Sequence, residues 1–468
     1  MSREKTLVKN TLIFAIGNFG SKVLTFLLLP FYTYYLSTKE YGYFDLITTT
    51  SLLIVPIVTF EIYDGVYRYL LDSKSDEDRD NFISNSVFIT IRNLVVFSLI
   101  YLVFIRFVSF KYEYLILLQI DLNIISSLWS QIARGLKSNV QYSVSGILNT
   151  IITLVSNILF ISVFKFKVGS LLTANIIAYV FSIVYLDYTL KIHKSIKSSL
   201  MKKEIRKELI KYSVPLIPNV VSWWLMNVSD RYFINIFKGV EANGIYAVVN
   251  KFPAIIFVLN NIFYLAWQES AITEYDSDDR DKFYTKMFNM LLCFELTLVV
   301  VMIAFTKFIM GFMVNGKFSS AWIYVPFLYF GTVFSAFSSF YGTGYLSSKH
   351  TIGAFYTSVA GGIVNVILNI TLIPVIGIQG ASFSTMVSYF VMWVIRIYQM
   401  RKYFKIHIQI KNLISLSIIS IIFVKCYYID NKLIQISMMI SSTIIFIFFN
   451  WEIIGNAIKS LTHKKYQV

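Results

Sequence analysis

Apolar runs long enough to cross a bilayer fill most of this 468-residue chain, and several carry an ionisable residue near the middle. A membrane helix needs about 20 mostly apolar residues. By that measure spans fall near 11–34, 43–63, 83–105, 114–132, 142–163, 170–190, 213–237, 244–266, 285–308, 320–341, 352–373, 379–399, 412–429 and 433–451, about fourteen in all. A charge at the centre of such a helix costs roughly 2.5–3.5 kcal/mol even on the lenient insertion scale, so it usually faces a partner or a water-filled path. The expected fold is an all-α polytopic membrane protein with a polar interior.

Composition agrees. Hydrophobic residues make up 56% and charged residues 15%, which is not the balance of a soluble chain. Both cysteines, Cys293 and Cys426, sit in apolar runs, so a disulfide framework or metal cluster is not expected. His193, His350, His407 and His463 fall in or beside loops, far apart in sequence, and read as surface residues. The net charge of +16 suits basic loops beside anionic lipid better than nucleic acid. Thr11 to Tyr34 is too long for a signal h-region and reads as a signal anchor. With an even number of spans, the bias of Lys and Arg toward alternate loops places both termini in the cytoplasm.

The halves of the chain echo each other. Shifted by 202 residues, Tyr41-Gly42-Tyr43 falls on Asn243-Gly244-Ile245 and Leu7-Val8-Lys9 on Leu209-Ile210-Lys211. A later pair, at a shift near 212, brings Lys137 onto Lys349 and Asn157 onto Asn369; one residue of slippage puts Gly169 on Gly380. Six spans separate the repeats, so the halves share one orientation and a pseudo-two-fold axis along the membrane normal. Transporters of this build bind their substrate between lobes. The expected division is an N-terminal lobe of six helices over 1–190, a cytoplasmic basic linker over 191–212, a C-terminal lobe of six over 213–400, and two extra C-terminal helices with a tail over 401–468. In the linker, Ile192, Ile196, Leu200, Ile205 and Leu209 have helical spacing; this suits a helix on the inner leaflet or a solvated connection.

Two motifs are decoys. Gly311 to Lys317 imitates a phosphate loop, but Phe318 stands where its Ser or Thr would be. Asp76-Glu77-Asp78 has the spacing of a sugar-nucleotide metal motif, yet no domain surrounds it. No outer loop is long enough to carry an extracytoplasmic catalytic domain. An enzyme, such as a membrane-bound glycan polymerase, is therefore the weaker alternative.

Span seven reads Pro215-Leu-Ile-Pro218, then Trp223-Trp224, Asn227 and Asp230-Arg231-Tyr232, followed by Gly239-Val-Glu241-Ala-Asn-Gly244-Ile-Tyr246. With the N-terminal hairpin (Lys5 through Gly20, Pro30, Tyr41-Gly42) and Arg134-Gly135-Leu136, this resembles the polysaccharide-biosynthesis flippases, the Wzx-type lipid-linked oligosaccharide translocases of the multidrug/oligosaccharidyl-lipid/polysaccharide exporter superfamily. The resemblance implies two six-helix lobes and a substrate on undecaprenyl pyrophosphate. That substrate would be turned to the outer leaflet of a bacterial cytoplasmic (inner) membrane by ion-coupled alternating access, for surface polysaccharide of the O-antigen (lipopolysaccharide) or capsule type. It implies membrane lipids and other polysaccharide assembly proteins as partners, no cofactor and no nucleic acid. The alternative within the superfamily is a multidrug or cation antiporter.

Carrying a diphosphate through a low-dielectric layer calls for fixed cations. The candidates are Lys22 in span one, Arg92 in span three, and Arg231 and Lys251, which flank the loop at Glu241. Asp45, Asp121, Asp230 and Glu295 are the candidate ion-coupling groups or counter-ions, with Asp230 able to pair with Lys251. Arg396 and Lys425 lie near span ends and are expected to snorkel to the interface, as Glu61 and Asp187 are expected to lie there. Trp223 and Trp224 fit an interfacial aromatic belt.

Overall fold

A computed structural model of the chain describes residues 26–348, 352–452 and 454–455. All regular structure among the described residues is helical. The α-helices of seven or more residues are α1 (Leu29–Tyr35), α2 (Thr38–Thr59), α3 (Ile62–Asp72), α4 (Asp76–Phe104), α5 (Glu113–Gly135), α6 (Asn139–Ser162), α7 (Val168–Leu190), α8 (Lys203–Ser213), α9 (Ile217–Asn227), α10 (Asp230–Lys238), α11 (Val240–Val249), α12 (Pro253–Thr273), α13 (Arg280–Met313), α14 (Val325–Ser347), α15 (Ile352–Ile376), α16 (Ile378–Met400), α17 (Ile410–Tyr427) and α18 (Lys432–Phe449). Twelve helices among the described residues are long and apolar enough to cross a membrane. The first expected span lies mostly outside the described residues. The seventh is broken into α9 and α10, each too short to span alone.

Local chemistry sets where helices begin. Ser37 and Glu40 form a capping box at the start of α2, with Ser37 Oγ accepting from Glu40 N at 3.2 Å and Glu40 Oε2 accepting from Ser37 N at 2.9 Å. Glu40 Oε1 also pairs with Lys167 at 2.8 Å, and that hydrogen bond holds the Lys167 ammonium above its ordinary range. The acidic run Asp76-Glu77-Asp78 is the first turn of α4 behind the N-cap Ser75, where negative charge meets the positive helix end. Gly311 lies inside α13 and Gly316 opens a 3-10 helix, so that stretch forms no phosphate loop. The second expected span stops short at Phe60 and Glu61, both in the left-handed region (φ 54° and 56°), and α3 resumes beyond them.

The chain divides into two compact units, residues 1–224 with 240–244, and residues 225–239 with 245–468. The first has an aliphatic core in which Val66, Ile83, Leu128, Ile132 and Leu186 bring α3, α4, α5 and α7 together. The second is held by aromatic packing. Trp267 of α12 stacks on Phe340 of α14 with centroids 3.9 Å apart, and Phe288 of α13 meets Phe337, Phe340 and Tyr341 edge-on at 5.2–5.3 Å.

The basic segment Lys191–Tyr212 belongs to the first unit and is strapped onto it. Ile192 and Leu209 are buried, and Ile196 and Ile205 pack against the core. Ser84 donates to the Ser195 carbonyl at 2.8 Å, Asn85 to the Leu200 carbonyl at 2.8 Å, and Lys197 pairs with Asp80 at 2.6 Å. The apolar face expected to rest on lipid is thus spent on protein. The segment is neither a leaflet-bound helix nor a loose linker, because α4 offers polar side chains that tie down its backbone.

Candidate functional site

Span seven breaks where its residues compete with their own backbone. Asn227, Ser229 and Asp230 are poor helix formers, and Ser229 Oγ turns back to the Leu225 carbonyl at 2.6 Å. The break delivers Asp230 to the start of α10, where its carboxylate is buried at 1% exposure. Neutral donors from three other helices meet it: Tyr246 hydroxyl of α11 at 2.6 Å, Asn369 Nδ2 of α15 at 2.8 Å and Thr385 hydroxyl of α16 at 2.7 Å. The Asn365 amide, one turn before Asn369, lies 2.9 Å from the Asn369 nitrogen and 3.3 Å from Ser229 Oγ. Asn369 Oδ1 is itself buried with no hydrogen-bond partner among the described residues. A carboxylate, two amides and three hydroxyls therefore converge in the second unit. A buried carboxylate is costly unless hydrogen-bonded or paired, and this one is held by three donors.

Arg231 adjoins this cluster. Its Nη1 donates to the Asn227 carbonyl at 3.0 Å, and its guanidinium lies 5.8 Å from the ring of Tyr246, the residue whose hydroxyl holds Asp230. Tyr246 thus touches both the acidic and the basic candidate. Lys251 lies just before Pro253 opens α12 and is half-buried. Lys22 lies outside the described residues. Arg92 is exposed on α4, forked onto Asn93 Oδ1 at 2.8 and 3.1 Å, and shares its face with exposed Val95, Val96 and Leu99.

The other acids are scattered. Asp45 Oδ2 lies 3.4 Å from Asn243 Nδ2, which also donates to the Gly42 carbonyl at 3.0 Å. Asp121 accepts from Ser98 Oγ at 3.1 Å. Glu295 is fully buried on α13, with Asn260 Nδ2 3.4 Å away and Oε1 unpartnered among the described residues.

Several expectations are corrected. Arg396 does not snorkel; it is 7% exposed, donating to Thr357 Oγ1 at 3.0 Å, the Ser338 carbonyl at 2.8 Å and Ser358 Oγ at 3.2 Å. Glu61 is buried at 2% rather than interfacial, because the left-handed break turns it inward. Asp187, by contrast, lies in the last turn of α7, with His193 Nδ1 2.6 Å from its carboxylate. Trp224 is buried, its indole donating to the Thr49 carbonyl at 2.9 Å, whereas Trp223 is exposed. The approach of Arg396 to α14 makes a prediction: a Cβ at Gly342 would lie 2.7 Å from Arg396 Nη1. Gly342→Ala is expected to displace that donor and cost about 1.5–3 kcal/mol, the worth of a hydrogen bond to a charged group, read as a lowered melting temperature of the detergent-purified protein.

Sequence reading missed the partners of Asp230, but one signal was present. Asn157 and Asn369 are equivalent in the repeat, and each reaches the first helix of its own half: Asn157 Nδ2 donates to Tyr32 hydroxyl at 2.8 Å, as Asn369 does to Asp230.

A family model described as polysaccharide biosynthesis protein matches residues 7–267, more than half of the chain. An uncharacterized membrane protein of Methanocaldococcus jannaschii is 22% identical over 486 aligned positions that cover 93% of each chain. Among solved structures, the lipid II flippase MurJ in its inward closed conformation matches at a TM-score of 0.69 and 17% identity, covering 95% of this chain and 100% of that one. An inward-facing multidrug resistance MATE family transporter of the MOP superfamily matches at 0.69 and 12% identity, covering 85% and 95%. The fold is thus the one these two transporter groups share, and the chain belongs to the polysaccharide biosynthesis protein family.

Proposed function

We propose that this protein is a flippase that carries a polyprenyl-pyrophosphate-linked oligosaccharide from the inner to the outer leaflet, for surface polysaccharide of the O-antigen or capsule type, by ion-coupled alternating access. The observation that carries the reading is the buried Asp230 cluster beside Arg231, joined through Tyr246. A coupled carrier needs a site whose charge changes when an ion binds and a second group that feels the change. A cation on Asp230 competes for the carboxylate with the Tyr246 hydroxyl, and any shift of that ring alters the cation–π support of Arg231. Arg231, Lys251, Arg92 and Lys22 supply positive charge for a diphosphate, with Asp45, Asp121 and Glu295 as further counter-ions.

The test is proteoliposomes carrying a fluorescent polyprenyl-pyrophosphate oligosaccharide, with an imposed proton or sodium gradient. Translocation driven by one gradient, and lost in Lys22→Ala or Arg92→Ala protein that still inserts normally, is expected. Absence of lipid translocation together with gradient-driven export of a cationic drug would make it a multidrug antiporter instead.

A further inference from the structure

The first unit carries a groove of about 460 Å³ between α2, α4 and α5, lined by Tyr43, Ile54, Ile100, Tyr101, Phe104 and Phe110 among others. It is distinct from the Asp230 cluster, which lies in the second unit. Its lining is almost wholly apolar, and the hydroxyl donors it contains are spent on backbone carbonyls. The Tyr43 hydroxyl donates to the Lys111 carbonyl at 2.7 Å, the Tyr101 hydroxyl to the Glu113 carbonyl at 3.0 Å, and the Thr50 hydroxyl to the Leu46 carbonyl at 2.5 Å. A water in such a space would lack the two to four partners it needs. The walls belong to candidate membrane spans, and Ile100 and Phe104 are 64% and 49% exposed, so the medium that meets the groove is hydrocarbon.

Length and charge say which hydrocarbon. From Tyr43 to Ile54 the groove follows α2 for eleven residues, roughly 16 Å at 1.5 Å per residue. One leaflet of a bilayer with a hydrocarbon core of about 30 Å is about 15 Å deep. The length of the groove along α2 therefore matches the depth of one leaflet, which fits one acyl chain and is short for a polyprenyl tail. At its tyrosine end, the turn from α4 to α5 presents Arg106 and Lys111, both exposed. We propose that the groove is a binding site for one acyl chain of a resident anionic phospholipid, with its phosphate held by Arg106 and Lys111.

The test uses the full-length protein in nanodiscs of equimolar phosphatidylglycerol and phosphatidylcholine doped with polyprenyl phosphate, stripped in detergent and weighed by native mass spectrometry. The wild type is expected to retain phosphatidylglycerol. Arg106→Ala and Lys111→Ala should each erode that preference by about fivefold, as a cation at the membrane surface is worth. Ile100→Trp, which fills the mouth, should release both phospholipids. Should Ile100→Trp fail to fold, the Ala variants still decide, because their side chains are exposed. Wild-type protein without retained lipid, retention untouched by the Ala variants, or preferential retention of polyprenyl phosphate would each overturn the proposal.

Discussion

Asp230→Asn protein is expected to fold and reach the membrane yet lose gradient-driven transport. Asparagine keeps the oxygen that accepts from Asn369, and its new amide faces the Tyr246 and Thr385 hydroxyls, which can rotate to accept from it. What disappears is the negative charge on which the proposed ion coupling depends. Asp230→Leu separates charge from structure. It leaves the Tyr246, Asn369 and Thr385 donors buried without their acceptor, at about 1–3 kcal/mol each, so this variant should be poorly folded as well as inactive. Thermal melts of both proteins, with transport assayed in the same proteoliposomes, check the pair. An Asp230→Asn protein that still couples to either gradient would remove Asp230 from the mechanism.

Gly244→Ala is expected to be the most damaging single methyl group among the glycines of the described residues. Gly42 of α2 and Gly244 of α11, equivalent positions in the sequence repeat, pack backbone to backbone: a Cβ on Gly244 would overlap the Thr38 carbonyl, and one on Gly42 would sit 2.6 Å from Gly244 N. Neither obstacle is a side chain that can swing aside, so α2 and α11 must part and the Asn243 hydrogen bond to the Gly42 carbonyl stretches with them. The expected cost is about 3 kcal/mol, the upper part of the usual overpacking range, with loss of transport. Gly146→Ala is the control. Nothing lies within 4 Å of its Cβ on α6, so it should be neutral or gain about 0.5–1 kcal/mol of helix stability. Equal melting temperatures for Gly244→Ala and the wild type would contradict the close approach.

The parts legible in the chain were those written in local pattern. Apolar runs of membrane length named the helices, and Pro215 through Tyr246 carried the family resemblance that the family model bears out. Asp230 and Arg231 stood out because an ion inside an apolar run is conspicuous. Their partners did not. Asn365, Asn369 and Thr385 are ordinary polar residues on their own helices, more than a hundred positions away, and nothing local marks them as converging on one carboxylate. Arg396 was misplaced for the related reason that depth was judged from distance to the span end. Whether an arginine near a helix terminus reaches water or turns inward depends on which helices lie beside it, and here α14 and α15 supply three acceptors.

Hydrophobic periodicity and length, read from the chain alone, determined that this protein is a helical bundle for a bilayer, since lipid leaves the backbone no other way to satisfy its hydrogen bonds. The tertiary structure alone decided which polar side chains meet Asp230, which glycines touch, and that the basic segment is strapped down. Those outcomes depend on contacts between residues distant in sequence, and a side chain's partner across a helix interface is invisible until the helices are in place.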